Sequence, residues 1–401
     1  MPSVPSRARR VSAILALGLL PAFAPTAPAH AVPSVARPEG VVRGADSPGA
    51  IPGRYLVVLN SDRGVGASAQ SLVGDRVART FDGLAAFSAR LSAVQARRLA
   101  ADPAVGFVEQ DRTVHIEATT RRRPAWNLDR IDQRSRKPSK TYTPADDGSS
   151  VHAYVIDTGI RVSHAEFGGR ASYGYDFVDH DRWARDCNGH GTHVAGTIGG
   201  ARFGVAKRVK LVAVRVLDCG GSGDLEGVVD GVNWVTEHAI KPAVANMSLG
   251  AGHSSVLDYS VARSIASGVT YAVAAGNEAG NAADNSPADV ATAITVGATD
   301  AKDRRAPFSN YGSAVDLFAP GVSIWSAYAR GDTAIARMSG TSMAAPLVAG
   351  AVALVLDAHP GWSPRTVRDH LVRTATKGKV IRRGPRSPNR LLFMAAPRLR
   401  S

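Results

Sequence analysis

Cysteine is nearly absent from this chain of 401 residues, which has two, Cys187 and Cys219. That excludes a disulfide-dense small scaffold and leaves room for one bridge. Aromatic residues make up only 6%. Beyond the first residues no segment approaches about 18 uninterrupted apolar residues, so spanning helices are not expected there. Acidic side chains are short by comparison with basic ones, 34 against 48, and the formal net charge is +14. What the chain has in quantity is glycine, 40 residues, which suits tight turns and close backbone approaches. With 44% hydrophobic and 20% charged residues the mix is that of a globular protein, which excludes disorder, collagen and coiled coil for the whole chain. The length is two to three times the commonest domain size. Through Glu117 there are 13 basic and 9 acidic residues, leaving 35 and 25 beyond it, so the positive excess is spread along both parts.

Arg7, Arg9 and Arg10 precede the apolar stretch Val11 to Ala24, which is followed by Ala29-His30-Ala31. This is the pattern of a secretory signal peptide over residues 1–31, too short in its apolar part for a membrane span. An exported protein with no membrane span is expected, in a compartment where a disulfide persists. Residues 32–53 read as a Pro, Gly and Ala-rich linker. From Arg54 a regular order appears: strand 55–59, helix 67–73, strands 77–81 and 84–91 meeting at Asp82-Gly83, a helix capped by Ser92, and strand 105–109. This split βαβ order fills a small domain over 54–117. The basic stretch after it, with Arg121, Arg122 and Arg123, reads as a protease-accessible joint.

Residues 118–401 form the third segment. From Val151 apolar strands alternate with helices: strands 151–156, 211–217, 243–247, 269–275 and 293–296, helices 225–238 and 256–266, and the long apolar helix 342–359. Alternation of this kind predicts an α/β domain with a mainly parallel sheet covered on both faces. Ligands then gather at the carboxyl ends of the strands.

Three side chains carry chemistry. Asp157 ends the first apolar strand in Val155-Ile156-Asp157-Thr158-Gly159, where a carboxylate needs partners, whether in a turn or in a site. His190 stands among glycines in Asn188-Gly189-His190-Gly191-Thr192-His193. A zinc reading of His190 and His193 lacks a further ligand at a clear spacing. Ser342, in Gly340-Thr341-Ser342-Met343-Ala344, opens the apolar helix either as a cap or as a nucleophile that a neighbouring base activates. An orienting carboxylate, a base and a nucleophile in the order Asp, His, Ser follow one of the known chain orders of this triad.

On these three motifs the chain resembles the subtilisin-like serine proteases, in particular the proteinase K and aqualysin branch, from about Trp126 to Phe393. The resemblance implies a three-layer α/β domain with a mainly parallel central sheet, behind a small ferredoxin-like α+β propeptide that assists folding and inhibits the enzyme. It implies a secreted, extracellular serine endopeptidase, monomeric, acting on polypeptides without a catalytic metal or a specific nucleic-acid partner. Asn277 is the implied oxyanion donor, and Gly221-Ser222-Gly223 and Ser248-Leu249-Gly250 the segments flanking an extended substrate. Cys187 and Cys219 stand where the branch has a disulfide. A structural Ca²⁺ is implied at the Asp316 carboxylate and the carbonyls of Ala291 and Ala293, oxygen ligands that suit a hard cation. Self-cleavage is expected near Ala118.

Two other readings use the same residues. An esterase nucleophile elbow at Ser342 requires a later acid and His on separate strands, whereas Asp357, His359, Asp369 and His370 follow at once. A secreted basic binding protein would use Lys377 to Arg400, which holds eight basic residues and no acid.

Overall fold

The computed structural model describes residues 38–394, apart from residues 46, 48, 62–63, 116–118, 121–124 and 145. The expected signal peptide, the start of the linker, the cut near Ala118 and Arg121–Arg123 lie outside the described residues.

The N-terminal part contains β1 (Val42–Arg43), β2 (Ala50–Leu59), α1 (Val65–Val73), β3 (Val77–Phe81), β4 (Ala86–Arg90), α2 (Ala93–Ala100) and β5 (Val105–His115). The strands pair in the order β1-β5-β2-β4-β3. The second half of the expected linker is therefore paired: β2 starts at Ala50, and Val42 packs on the domain's core beside β5. α2 opens on a capping box in which Ser92 Oγ accepts from Gln95 N and Gln95 Oε1 accepts from Ser92 N. Alternation along β2 serves two cores. Tyr55, Val57 and Leu59 pack among the residues of α1 and α2, and Leu56 and Val58 among residues of the larger domain.

The larger part follows as β6 (Thr119–Thr120), α3 (Trp126–Ile131), β7 (His152–Asp157), β8 (Ala171–Asp176), α4 (His190–Gly199), β9 (Lys210–Arg215), β10 (Ser222–Asp224) and α5 (Leu225–His238). Then come β11 (Ala243–Met247), β12 (Ala251–Gly252), α6 (Ser255–Ala266), β13 (Thr270–Ala274), β14 (Asn285–Ser286), β15 (Ile294–Thr299), β16 (Leu317–Pro320), β17 (Ile324–Ala327), β18 (Ile335–Ser339), α7 (Thr341–Ala358), α8 (Pro364–Thr374), β19 (Thr376–Lys377) and β20 (Arg390–Leu391). The main sheet runs β19-β20-β16-β15-β13-β11-β7-β9-β8, parallel throughout except at β19. Ala153 and Val155 of β7 pack with α4 and α7, while Tyr154 and Ile156 pack with α5 and α6. Both faces are covered, which is why the strands read as continuous apolar runs. α7 has the length and hydropathy of a membrane span, but 89% of it is buried as the core helix of this domain.

The small domain is joined to the large one through polar contacts at two helix starts. Asp111 Oδ1 accepts from Glu226 N in the first turn of α5 at 3.2 Å, and Glu109 Oε2 accepts from Val256 N in the first turn of α6 at 2.8 Å. Each carboxylate meets unpaired amides at the positive end of a helix dipole.

Candidate active site

β7 delivers Asp157 at its carboxyl end, and α4 begins at His190. His190 Nδ1 lies 2.8 Å from Asp157 Oδ1 and 3.0 Å from Oδ2, with both side chains fully buried. Close approach explains the glycine after the histidine: a Cβ at Gly191 would stand 2.2 Å from the Gly159 carbonyl and 3.2 Å from Asp157 Oδ1. Burial disfavours a charged imidazole, but the Asp157 charge and hydrogen bond outweigh it and hold His190 above the ordinary imidazole range. His193 does the opposite. Burial and the neighbouring His190 push it down to about 3, and its Nε2 lies 3.1 Å from the Ile324 carbonyl. The two histidines therefore bind different partners, and the arrangement does not make a zinc pair.

Sequence reasoning gave no structural role to Asp186. This buried carboxylate accepts from the amides of Asn188, Gly189 and Thr192 and from the hydroxyls of Thr158 and Thr192, at 2.6–2.9 Å. It organises the start of α4 and ties it to the turn after Asp157. Its place shortly before a glycine-flanked helix start was the available signal.

Ser342 is the second residue of α7 and nearly buried. Its hydroxyl donates to the Ser248 carbonyl at 3.1 Å, and His190 Nε2 makes no hydrogen bond to protein. Ser342 lines a pocket of about 310 Å³ together with Ser248, Leu249, Gly250, Gly276 and Asn277. Asn277 Oδ1 accepts from Thr341 N at 2.8 Å and Thr341 Oγ1 at 3.0 Å, which fixes the side-chain amide beside the start of α7. The esterase partners do not converge here: Asp357 accepts from Gly148 N and Ser150 N, and His359 stacks on Trp362.

Gly221 precedes β10, and β10 pairs antiparallel with β5: Ser222 opposite His115, Gly223 opposite Val114. The small domain's last strand thus lies as an added strand along this segment. On the far side of the undescribed residues, Thr119 pairs with Ser339, three residues before Ser342. Cys187 and Cys219 are bridged across 32 residues, and Asn188 Nδ2 donates to the Cys219 carbonyl. The bridge fastens the approach to His190 to the β10 segment.

Asp316, the carboxylate of the calcium expectation, is engaged by protein groups. Arg368 Nη2 donates to its Oδ1 at 2.6 Å and Thr295 N to its Oδ2 at 3.0 Å, so both oxygens are engaged and the neighbouring charge is a cation. Of its expected companions, Ala291 is exposed and Ala293 buried. Among the described residues two other acidic groupings bring their ligand atoms together, His253 with Asp258 and Asp289, and Asp146 with Asp147 and Asp357.

Residues 148–391 match the subtilase family, and residues 55–117 match the peptidase inhibitor I9 family. An extracellular serine proteinase of a Thermus species is 46% identical over 387 residues, covering 90% of this chain and 94% of that one. Alkaline serine exoprotease A of Vibrio alginolyticus is also 46% identical, over 86% of this chain and 68% of its own. A crystal structure of a cold adapted subtilisin-like serine proteinase superposes with a TM-score of 0.67 at 51% identity, covering 68% of this chain and 99% of that chain. The fold is subtilisin-like, and the chain, with an I9 inhibitor segment ahead of its peptidase domain, belongs to the subtilase family.

Proposed function

We propose that this chain is the precursor of a secreted serine endopeptidase in which Asp157, His190 and Ser342 form the catalytic triad. The observation that carries the reading is the buried Asp157–His190 pair at the strand end, with Ser342 opening α7 at the mouth of a pocket. Ser342 Oγ turns from the Ser248 carbonyl to His190 Nε2 when substrate arrives; resting structures often show such catalytic bonds unmade. His190 takes the hydroxyl proton as Oγ attacks the scissile carbonyl, Asp157 stabilises the imidazolium, and the proton passes to the leaving amine. Water then releases the acyl group by the same path. The Asn277 side-chain amide and the Ser342 N–H receive the oxyanion, aided by the helix N-terminus. Substrate lies between the 221–223 and 248–250 segments as an added strand, so main-chain pairing supports activity on many unfolded polypeptides.

The I9 domain occupies the 221–223 segment in the uncut precursor and serves as its inhibitor, with self-cleavage near Ala118. Export under the signal at 1–31 agrees with the extracellular character that the Thermus relative's name carries. The site is complete within one chain, and a monomer is proposed. No calcium role is assigned to Asp316, Ala291 and Ala293.

The test is mass spectrometry of protein secreted from a protease-deficient host. Wild type yields separate propeptide and enzyme; Ser342→Ala stays joined. Efficient processing of the Ser342→Ala chain would overturn self-cleavage by this serine.

A further inference from the structure

Catalysis by the triad makes no use of the chain's positive charge. Much of it is concentrated on one face, built where three segments meet. Arg136 Nη1 donates to the Lys302 carbonyl, Arg305 N to the Ile381 carbonyl, Arg305 Nε to the Arg382 carbonyl, and Arg134 Nη2 to the Thr374 carbonyl. Residues 134–137, 302–305 and 374–386 therefore form one continuous surface. It displays Arg136, Lys302, Lys379, Arg382, Arg383 and Arg386, all exposed. None of these six has a carboxylate within ion-pair distance among the described residues. The acids nearest in sequence are already engaged, Asp300 by Arg304 and Asp303 by the buried Arg130.

The loop that carries most of these cations is held rather than loose. Asn389 clasps Val380 through two hydrogen bonds, and Ser387 Oγ accepts from Gly312 N. Arg382 and Arg386 sit at φ of 54° and 56°, a left-handed conformation uncommon for non-glycine residues. Strain of this sort persists where the surroundings over-determine it. A fixed array of unpaired cations on an exported protein repels itself unless a counter-charge is brought to it.

We propose that this face binds an acidic polysaccharide, a linear polymer of carboxylate-bearing sugars, and so holds the enzyme at polyanionic surfaces. Carbohydrate polyanion is favoured over nucleic acid by the aromatic rings. The guanidinium of Arg134 lies 4.0 Å over the Phe393 ring and that of Arg305 lies 5.1 Å over Tyr311. A guanidinium already occupies one face of each ring, which weakens both as stacking platforms for bases, whereas polymer carboxylates need only the exposed cations.

The probe is immobilised polygalacturonate, with the secreted, self-processed protein applied over a salt series. Wild type is retained at low salt and released steeply as salt rises. The triple variant Arg382→Glu/Arg383→Glu/Arg386→Glu binds at least roughly tenfold more weakly, with a salt slope shallower by about two to three. An off-face triple of equal charge change, Arg202→Glu/Arg208→Glu/Lys210→Glu, retains near wild-type binding. Hydrolysis of a short peptide ester reports folding, and Arg382→Gln/Arg383→Gln/Arg386→Gln gives the same reading should the glutamate triple fail to fold. Absence of retention at low salt, equal losses in the two triples, or displacement by duplex DNA at a lower charge concentration than by free polygalacturonate would each overturn the proposal.

Discussion

Ser248 and Ser342 exchange hydrogen bonds: Ser342 Oγ donates to the Ser248 carbonyl at 3.1 Å, and Ser248 Oγ donates to the Ser342 carbonyl at 2.9 Å. The second bond has a reason in the helix. The Ser342 carbonyl would normally accept from the amide four residues on, but that residue is Pro346, which has no N–H. Ser248 supplies the missing donor, and Asn246 Nδ2 in turn donates to Ser248 Oγ at 2.9 Å. The proline in the first turns of α7 is thereby linked to the wall of the pocket that Ser342 lines.

Ser248→Ala should leave the Ser342 carbonyl buried without its donor, at a cost of about 1–3 kcal/mol. A lowered Tm and a reduced kcat with a nearly unchanged KM are expected, and Ser248→Thr should restore part of both. Calorimetry and kinetics on a short peptide check this; a kcat loss without any Tm change would count against the structural account.

His190 must be neutral to accept a proton, and Asp157 holds it above the ordinary imidazole range. kcat/KM should therefore fall as pH drops through that raised value. Asp157→Asn removes the opposing charge, leaves burial dominant, and should move the acid limb to lower pH while costing about 10⁴-fold in kcat. A limb that stays in place in the variant would detach Asp157 from the titration.

Asp111 sits at the junction of the two domains with Arg54 Nε 3.0 Å from its Oδ2, while Arg54 also pairs with Asp224 and Glu226. One guanidinium serves three carboxylates. Burial first, then Asp224, pushes Asp111 up to about 7. A raised carboxylate pKa means that the docked state holds its proton more tightly than the separated one. The contribution is full below the ordinary carboxylate pKa and is lost as pH rises through about 7. Inhibition of the cut enzyme by added propeptide should weaken over that range, and Asp111→Asn should flatten the dependence. A propeptide Ki independent of pH in wild type would refute this.

Arg368→Ala should destabilise the enzyme by about 2 kcal/mol, less than for a fully buried pair because the arginine side chain is 30% exposed. Chelator should leave the wild-type Tm unaffected through this position, and calcium should raise the Tm of the variant alone. A calcium-dependent Tm in wild type that vanishes in Asp316→Asn would restore the cation reading.

The chemistry-bearing motifs were legible because each is compressed into a few neighbouring residues: the apolar run closing on Asp157, the glycine-flanked His190, and Ser342 before a long apolar helix. Strand and helix alternation from Val151 was legible for the same reason, since burial on both faces writes itself as unbroken apolar segments. β16, β17 and β18 were not, because Pro320, Ser326 and Arg337 end or interrupt their short apolar runs, and neither was α8, whose polar residues give little apolar signal.

By itself the sequence determined the motifs that carry the proposed triad and the local structure that presents each. Partners distant in the chain were decided by tertiary structure alone, because proximity after folding depends on register and packing rather than on composition. Arg368 lies 52 residues from Asp316, yet it sets the charge facing that carboxylate. Ser248 stands 94 residues before Ser342, and only the fold makes it the donor that Pro346 removed. The scarcity of acidic residues was plain from composition; that three segments would gather the unpaired cations on one face was not.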